Sequence, residues 1–291
     1  SGLYMNSIFG GSKCILCNLA SGFEFIRRIN KPRSFKLYLS RIVLKYIIEN
    51  IDDFNPPKAN VEIHKMLKKE SGINDPFMKD KDEQITFSSK IISYLGINPY
   101  DDSIQNLKHL LALAAYGNGL DPLVLGYNLN YKMLEDDVKN LKIALNDMDR
   151  FINALESGKY KYILYLLDNA GEALFDLLLS ENLRVRGINI LFAVKPPHET
   201  DITLNDFARI GGDLSRVFEL KEYPIFISRN SLPNVDLIIS KGLLNFEAYI
   251  LNMNSFKIDV LTILKAKCSV IADYFKIPLG SYIIRLYQPI N

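Results

Sequence analysis

The sequence is poor in the groups that declare a chemistry at sight. It has three cysteines, too few for a disulfide framework. Cys14 and Cys17 form one Cys-x-x-Cys with no second pair and no nearby paired histidines, which excludes a four-ligand zinc site built from sequence neighbours. The pair reads as a redox couple, a stabilising disulfide or two half-buried thiols on a first helix; Cys268, in "AKCSVIADYF", reads as a core residue. No apolar run reaches the roughly 18 to 20 residues that span a bilayer. The first residues show no basic stretch followed by an apolar core and cleavage site, so a cytoplasmic protein without membrane attachment is expected, and Ser1–Tyr4, ahead of Met5, are expected to lie outside the fold. Basic blocks and arginine-rich arms are missing too: 35 basic and 33 acidic residues are spread along the chain for a net charge of +2, which gives no reason to expect nucleic acid. Nor is there a G-x-x-x-x-G-K-S/T loop, a G-x-G-x-x-G after a strand or a G-x-S-x-G elbow, which sets aside nucleotide kinases, dinucleotide enzymes and serine hydrolases. Of the three histidines, His64 and His109 lie on helical segments with an apolar face and read as structural residues.

What is present is apolar and periodic. With 291 residues, 48% hydrophobic and 23% charged, the chain is long enough to bury a substantial core and falls between one large domain and two ordinary ones. Small-molecule chemistry is the prior that remains. From about residue 14 to 157 the apolar residues recur at helical spacing; in "SFKLYLSRIVLKYIIENI", Phe35, Leu39, Ile42, Val43, Tyr46 and Ile47 fall on one face. Breaks at "NKPRS", "NPPKAN", "SGINDP", "GINPYDD" and "GNGLDP" predict a bundle of helices. From Tyr160 onward short apolar runs, "YILYLL", "INILFAV", "PIFIS", "VDLIIS", "FKIDVLTIL" and "YIIRLY", alternate with helical segments at 171–182, 203–210, 245–251 and 266–276. Strands alternating with helices imply an α/β fold, a mostly parallel sheet covered on both faces. The division expected is a helical domain over 5–157 and an α/β/α domain over 158–291.

In open α/β sheets, ligands bind beyond the carboxyl ends of the strands. "YILYLL" ends in Asp168, Asn169, Gly171 and Glu172, where glycine permits a tight turn and the next helix directs its positive end at the same spot. The plainer alternative is that Asp168 only caps that helix. After "INILFAV" comes "KPPHETDIT", with Lys195, His198, Glu199 and Asp201; His198 is the histidine that this topology brings near the site. After "VDLIIS" come Lys241 and Gly242. If the three strands are neighbours, carboxylates, an amide oxygen and lysines converge. Oxygen ligands suit hard cations and lysines suit a phosphate, so metal-assisted hydrolysis is the site hypothesis.

At these residues the sequence resembles a known family. "DNAGEALFD" is similar to the signature of the metal-dependent damage-control phosphatases, formerly a domain of unknown function. "CILC", "IHKMLKKESGINDPF", "AAYGNGLDP", "TDITLNDF" and "ISKGLLNFE" follow in order, like the archaeal and bacterial branch that carries a Cys-x-x-Cys. The resemblance covers nearly the whole chain. It implies a helical N-terminal region packed on a three-layer α/β/α domain and one divalent ion, manganese, cobalt, nickel or magnesium, at the strand ends. Carried over, the metal ligands are Asp168, Asn169 and Asp201, with Thr200 standing where the family has Asn or Ser; Asp206 falls in a helical first turn. Lys241 matches the lysine directed at the substrate phosphate, with Leu243 and Leu244 where glutamine and glycine are common. Asn118 and Asp121 resemble residues that reach over the site from the helical half, and Lys195 and Gly242 join them in substrate binding.

The activity implied is hydrolysis of small phosphomonoesters, sugar phosphates or damaged phosphometabolites. The metal and Lys241 would stabilise charge in an in-line displacement. Attack comes from water or, through an aspartyl phosphate, from Asp168, with Glu172 positioning the water or acting as base. A noncatalytic metal- or phosphate-binding module and a carboxyl methyltransferase are the other readings. Oligomeric state is not legible.

Overall fold

Helical periodicity in the first part of the chain becomes α1 (Ser12–Arg28), α2 (Arg33–Glu49), α3 (Pro56–Ser71), α4 (Met78–Leu95) and α5 (Ile104–Gly117) in the computed structural model, which describes residues 11–121 and 140–289. Ser1–Met5 and Pro122 of the "GNGLDP" turn lie outside the described residues. Local chemistry sets the boundaries. Asn55 caps α3 by accepting the Lys58 N–H at 3.1 Å, with Pro56 and Pro57 opening the first turn. Gly72, at φ 69°, ends it. Helices α1 to α3 share a core of their own around Phe25, Leu39, Val43, Ile63 and Leu67, whereas α5 packs into the larger core built on the sheet.

The sheet has seven strands in the order β1-β7-β6-β5-β2-β3-β4. They are β1 (Ile143–Asn146), β2 (Tyr162–Leu166), β3 (Asn189–Val194), β4 (Val217–Glu219), β5 (Leu237–Lys241), β6 (Asp259–Lys265) and β7 (Tyr282–Tyr287). All pairings are parallel except β6 with β7. The remaining helices are α6 (Met148–Glu156), α7 (Ala173–Val185), α8 (Leu204–Arg209), α9 (Gly242–Leu251) and α10 (Ser269–Phe275). Because side chains alternate along a strand, Ile163 and Tyr165 of β2 pack with α5, α6 and α7, while Leu164 and Leu166 pack with α9 on the other face. A helical N-terminal region thus packs against a mostly parallel sheet with helices on both sides, as the sequence leads one to expect. Among the described residues no helix is long and apolar enough to cross a membrane.

Three local expectations change. "PIFIS" is a 3-10 turn at Pro224–Phe226 rather than a strand, since proline opens the turn and supplies no N–H to a ladder. "IALN", inside the stretch that reads as helical, is the edge strand β1, and β4 was not anticipated; strands of four and three residues are too short to show an alternation.

For the site, the order matters most. Strand β2 lies between β5 and β3, all parallel. Their carboxyl ends share one edge of the sheet, and the chain leaves β2 towards β3 but leaves the adjacent β5 towards β6, in the opposite direction, which makes the β2–β5 boundary the kind of place where α/β folds gather ligands.

Candidate functional site

Beyond β2 the chain runs through Leu167 to Glu172 before α7 begins. Asp168 and Asn169 are buried there. Gly171 lies so close to α4 that a Cβ would stand 2.6 Å from that of Gln84. Glu172 turns back to accept the Asn169 N–H at 2.9 Å, which tightens the turn. Asp168 makes no cap to α7; its carboxylate faces the neighbouring strand ends.

Two chain segments complete the arrangement. The loop after β3 returns to β2 through a backbone bridge between Asn169 and Asp201, with Ala170 N–H to Thr200 O at 2.9 Å and Ile202 N–H to Asp168 O at 2.8 Å. The Lys195 ammonium then sits between two carboxylates, 2.8 Å from Asp168 Oδ1 and 2.9 Å from Asp201 Oδ2. Thr200 Oγ1 donates to Asn169 Oδ1 at 2.8 Å, fixing the amide so that its Nδ2 donates to Asp168 Oδ2 at 3.1 Å. Asp206, the next acid along, belongs elsewhere: it completes a capping box with Thr203 on α8 and pairs with Lys81 at 2.8 Å.

From β5 comes Gly242, whose backbone presses against Asp168. At φ 80° a Cβ there would fall 1.8 Å from Asp168 Oδ2. Leu243 and Leu244, where the resemblance has glutamine and glycine, follow Gly242 in the first turn of α9, and the positive φ is confined to Gly242 in this turn. The helical half contributes Asn118, whose Nδ2 reaches Asp168 Oδ2 and Glu172 Oε1, each at 3.3 Å. Its Oδ1 accepts the Lys265 N–H at 3.0 Å. Asp121 takes the Lys267 ammonium at 3.2 Å.

Lys241 points elsewhere. Its fully buried ammonium is held by Glu172 Oε2 at 3.1 Å and Asp176 Oδ1 at 2.7 Å, with the Tyr165 hydroxyl also on Asp176, so it braces β5 against α7 and does not line the cavity. That cavity, roughly 420 Å³, is bounded on one side by Asp168, Asn169, Asp201, Asp121 and Lys267. Its other walls include residues that the sequence did not single out, Ser21 and Asn60 of the helical region, together with Cys14, Cys17 and Cys268. None of the three cysteines is in a disulfide, and Cys268, packed against the core around Phe246 and Leu264, borders the cavity as well.

Electrostatics separates the carboxyl groups. Burial alone would raise Asp168, but the Lys195 ammonium outweighs it and holds that carboxyl below its ordinary value. Asp201 goes the other way: burial, only partly offset by Lys195 and reinforced by Asp168, pushes it well up. Glu172 and Glu199 are each pushed up to about 7, by burial first, with Lys241 opposing at Glu172 and Asp121 adding to the rise at Glu199. Glu199 also holds φ 46°, a left-handed backbone that a non-glycine residue seldom adopts.

The donor set fits a hard cation. Asp168, Asp201 and Asn169 offer oxygen only. Burial pushes Asp201 well up and Glu172 and Glu199 to about 7, towards the neutral acids; an added cation would offset that burial and favour the carboxylates. Among the described residues no group of three or more His, Cys, Asp or Glu is arranged to hold a metal ion; the set here has two acids and an amide.

His198 borders the same cavity, its Nε2 2.5 Å from Asn60 Oδ1 and its ring 4.5 Å from that of His64. His64 meets Ser21 Oγ at 2.8 Å, and Ser21 also bonds Glu199. His109 lies away from this edge, beside Lys108 and Met148.

Comparison with known proteins bears on this arrangement. Residues 12–222 match the damage-control phosphatase ARMT1-like domain. An uncharacterized protein of Methanocaldococcus jannaschii is 28% identical, covering 94% of this chain and 93% of its own length. Damage-control phosphatases of Archaeoglobus fulgidus and Pyrococcus horikoshii are 26% and 27% identical over 84% and 77% of this chain, and 88% and 77% of theirs. The crystal structure of a DUF89 family protein from Pyrococcus horikoshii agrees in fold, with a TM-score of 0.78 at 22% identity, covering 96% of this chain and 99% of that one.

Proposed function

Given that this chain belongs to the damage-control phosphatase ARMT1-like family, we propose that it is a metal-dependent phosphatase of small phosphomonoesters, with Asp168, Asn169 and Asp201 as metal ligands. The observation that carries the reading is the convergence of those three residues at the ends of β2 and β3, joined by the Asn169–Asp201 bridge and by Lys195 between the two acids. One divalent ion, magnesium, manganese, cobalt or nickel, would supply Lewis-acid stabilisation of the phosphoryl oxygens.

The chain's own residues supply the rest. Lys267, facing the cavity, would attract phosphate oxygens and neutralise charge that builds on them, while Lys195, buried between the two acids, would hold them in place and add positive charge behind them. Asp168 has both oxygens engaged, Oδ1 by Lys195 and Oδ2 by Asn118 and Asn169, which suits a ligand better than a nucleophile and favours attack by water over an aspartyl phosphate. Glu199 borders the cavity, and its carboxyl is pushed up to about 7 by burial, which suits it to take a proton from that water. Glu172, tied to Asn118, Asn169 and Lys241, sets the geometry of the metal turn. Gly242 lets the backbone approach Asp168.

Equilibrium binding of manganese to metal-stripped protein, by calorimetry, tests the assignment. One site per chain is expected in the wild type, with affinity lowered at least about tenfold in both Asp168→Asn and Asp201→Asn. Unchanged affinity in either folded variant would remove that residue from the ligand set.

A further inference from the structure

The wall opposite the acids bears on what the ester carries besides phosphate. Gly242 touches the Asp168 carboxylate, so the next two residues of α9, Leu243 and Leu244, enter the cavity wall one residue away from the proposed reacting centre. Leu16, Pro57, Val270 and Ile271 continue the same apolar lining, and the thiols of Cys14, Cys17 and Cys268 add soft, weakly polar surface to it. On the helical side most polar groups of the lining are tied up, Lys13 with Ser269 at 2.7 Å and Asn18 Nδ2 with Cys14 O at 2.9 Å, while Asn18 Oδ1 is left without a partner. Ser21 bonds His64 and Glu199, and Asn60 bonds Ser21 at 2.9 Å and His198 at 2.5 Å. A volume of roughly 420 Å³ is far more than a phosphate group occupies and lies in the range of small-ligand pockets.

From this wall we infer that the substrate is the phosphomonoester of an alcohol with an apolar body, not of a sugar, and that Leu243 and Leu244 are the residues that select it. The inference rests on the phosphatase reading above. Its physical basis is a difference in desolvation. Sugar hydroxyls set against two leucines lose water and gain no partner, whereas alkyl carbons in the same place leave water at a gain.

The test compares n-hexyl phosphate with glucose 6-phosphate, both esters of primary alcohols, so that leaving-group strength does not decide the result. With full-length, manganese-loaded protein, kcat/KM for the hexyl ester should exceed that for the sugar ester by at least about tenfold. Leu243→Gln with Leu244→Gly should bring the ratio close to one. A second arm needs no turnover: calorimetry of hexylphosphonate against methylphosphonate on the wild type, where hexylphosphonate should bind at least about tenfold more tightly. Methylphosphonate affinity in the double variant reports whether its site is intact.

Hydrolysis of both esters without alkyl preference overturns the inference and leaves the phosphatase reading in place. Alkyl preference in binding without any hydrolysis does the reverse, keeping the apolar selection and removing the phosphatase. Equal binding of the two phosphonates, with neither ester cleaved, removes both.

Discussion

The backbone of Gly242 lies against the carboxylate of Asp168, at φ 80° and so close that a Cβ would fall 1.8 Å from Oδ2. A side chain at 242 therefore displaces the acid or the turn that ends β5. Gly242→Ala should lower kcat at least about a hundredfold, as a misplacement of about an ångström can, and cost about 1–3 kcal/mol of stability through the left-handed backbone. Steady-state kinetics and urea denaturation check both. An alanine variant with wild-type kcat would mean that Asp168 does not need this contact.

Lys195 bridges Asp168 and Asp201, and under the proposed metal site its charge would stand in part for that of a dication. Lys195→Met removes the bridge and leaves two buried acids facing each other. The metal-free variant should lose about 3–5 kcal/mol, and a large part of that loss should return on adding manganese, because binding to the folded state alone stabilises it. Chemical denaturation with and without the ion reads this. A loss of the same size at all metal concentrations would contradict the shared-site account.

Lys241 makes a different prediction. Paired with Glu172 and Asp176 and fully buried, it acts first on stability. Lys241→Met leaves two uncompensated acids beneath the site and should cost about 3–5 kcal/mol, with manganese restoring little of it. If the variant is as stable as the wild type and only KM rises, Lys241 faces the phosphate and the brace between β5 and α7 is incidental.

The sequence made the sheet ends legible and left the far wall illegible, for a physical reason. Asp168 and Asn169 follow a run of apolar residues that has to be a buried strand, and Lys195 and Lys241 follow two others; strand ends are local. Whether Lys241 meets substrate or a pair of acids depends on Asp176, placed a full helical turn into α7, and no spacing rule connects residues 176 and 241. Ser21 and Asn60 border the cavity because α1 and α3 pack across it, which is tertiary information. The misread "PIFIS" and "IALN" show the same limit at small scale, since three or four residues carry too little pattern to separate a turn, a helix end and an edge strand.

His64 gives the protein a pH dependence that can be isolated. Burial, with Lys68 adding to it, pushes its imidazole down to about 3. Unfolded, it titrates near 6.5, so below that pH the unfolded state takes up a proton that the folded state refuses. Its contribution to stability is present above about 6.5 and is lost as pH falls towards 3, at up to about 1.4 kcal/mol per pH unit. Glu172, Glu199 and Glu247, pushed up by burial to about 7, 7 and 8, act with the opposite sign over part of that range. The difference between wild type and His64→Gln removes Glu172 and Glu247; Glu199 and His198 touch the ring, so a second difference taken in a His198→Gln background removes the histidine pair's mutual effect. That difference should grow in favour of the variant as pH falls from 6.5 to 4.5. A flat difference would mean that the ring is protonated in the folded protein.

The central claim is that this fold holds a divalent ion with Asp168, Asn169 and Asp201 to hydrolyse phosphomonoesters, and hydrolysis of an aryl phosphate by chelator-stripped protein tests it most directly. Magnesium, manganese, cobalt and nickel are added in turn, with Asp168→Asn and Asp201→Asn alongside. The account predicts no turnover without metal, turnover with at least one of the four, and at least a hundredfold loss in each variant. Turnover that survives chelation, or that is undiminished in both folded variants, would contradict it.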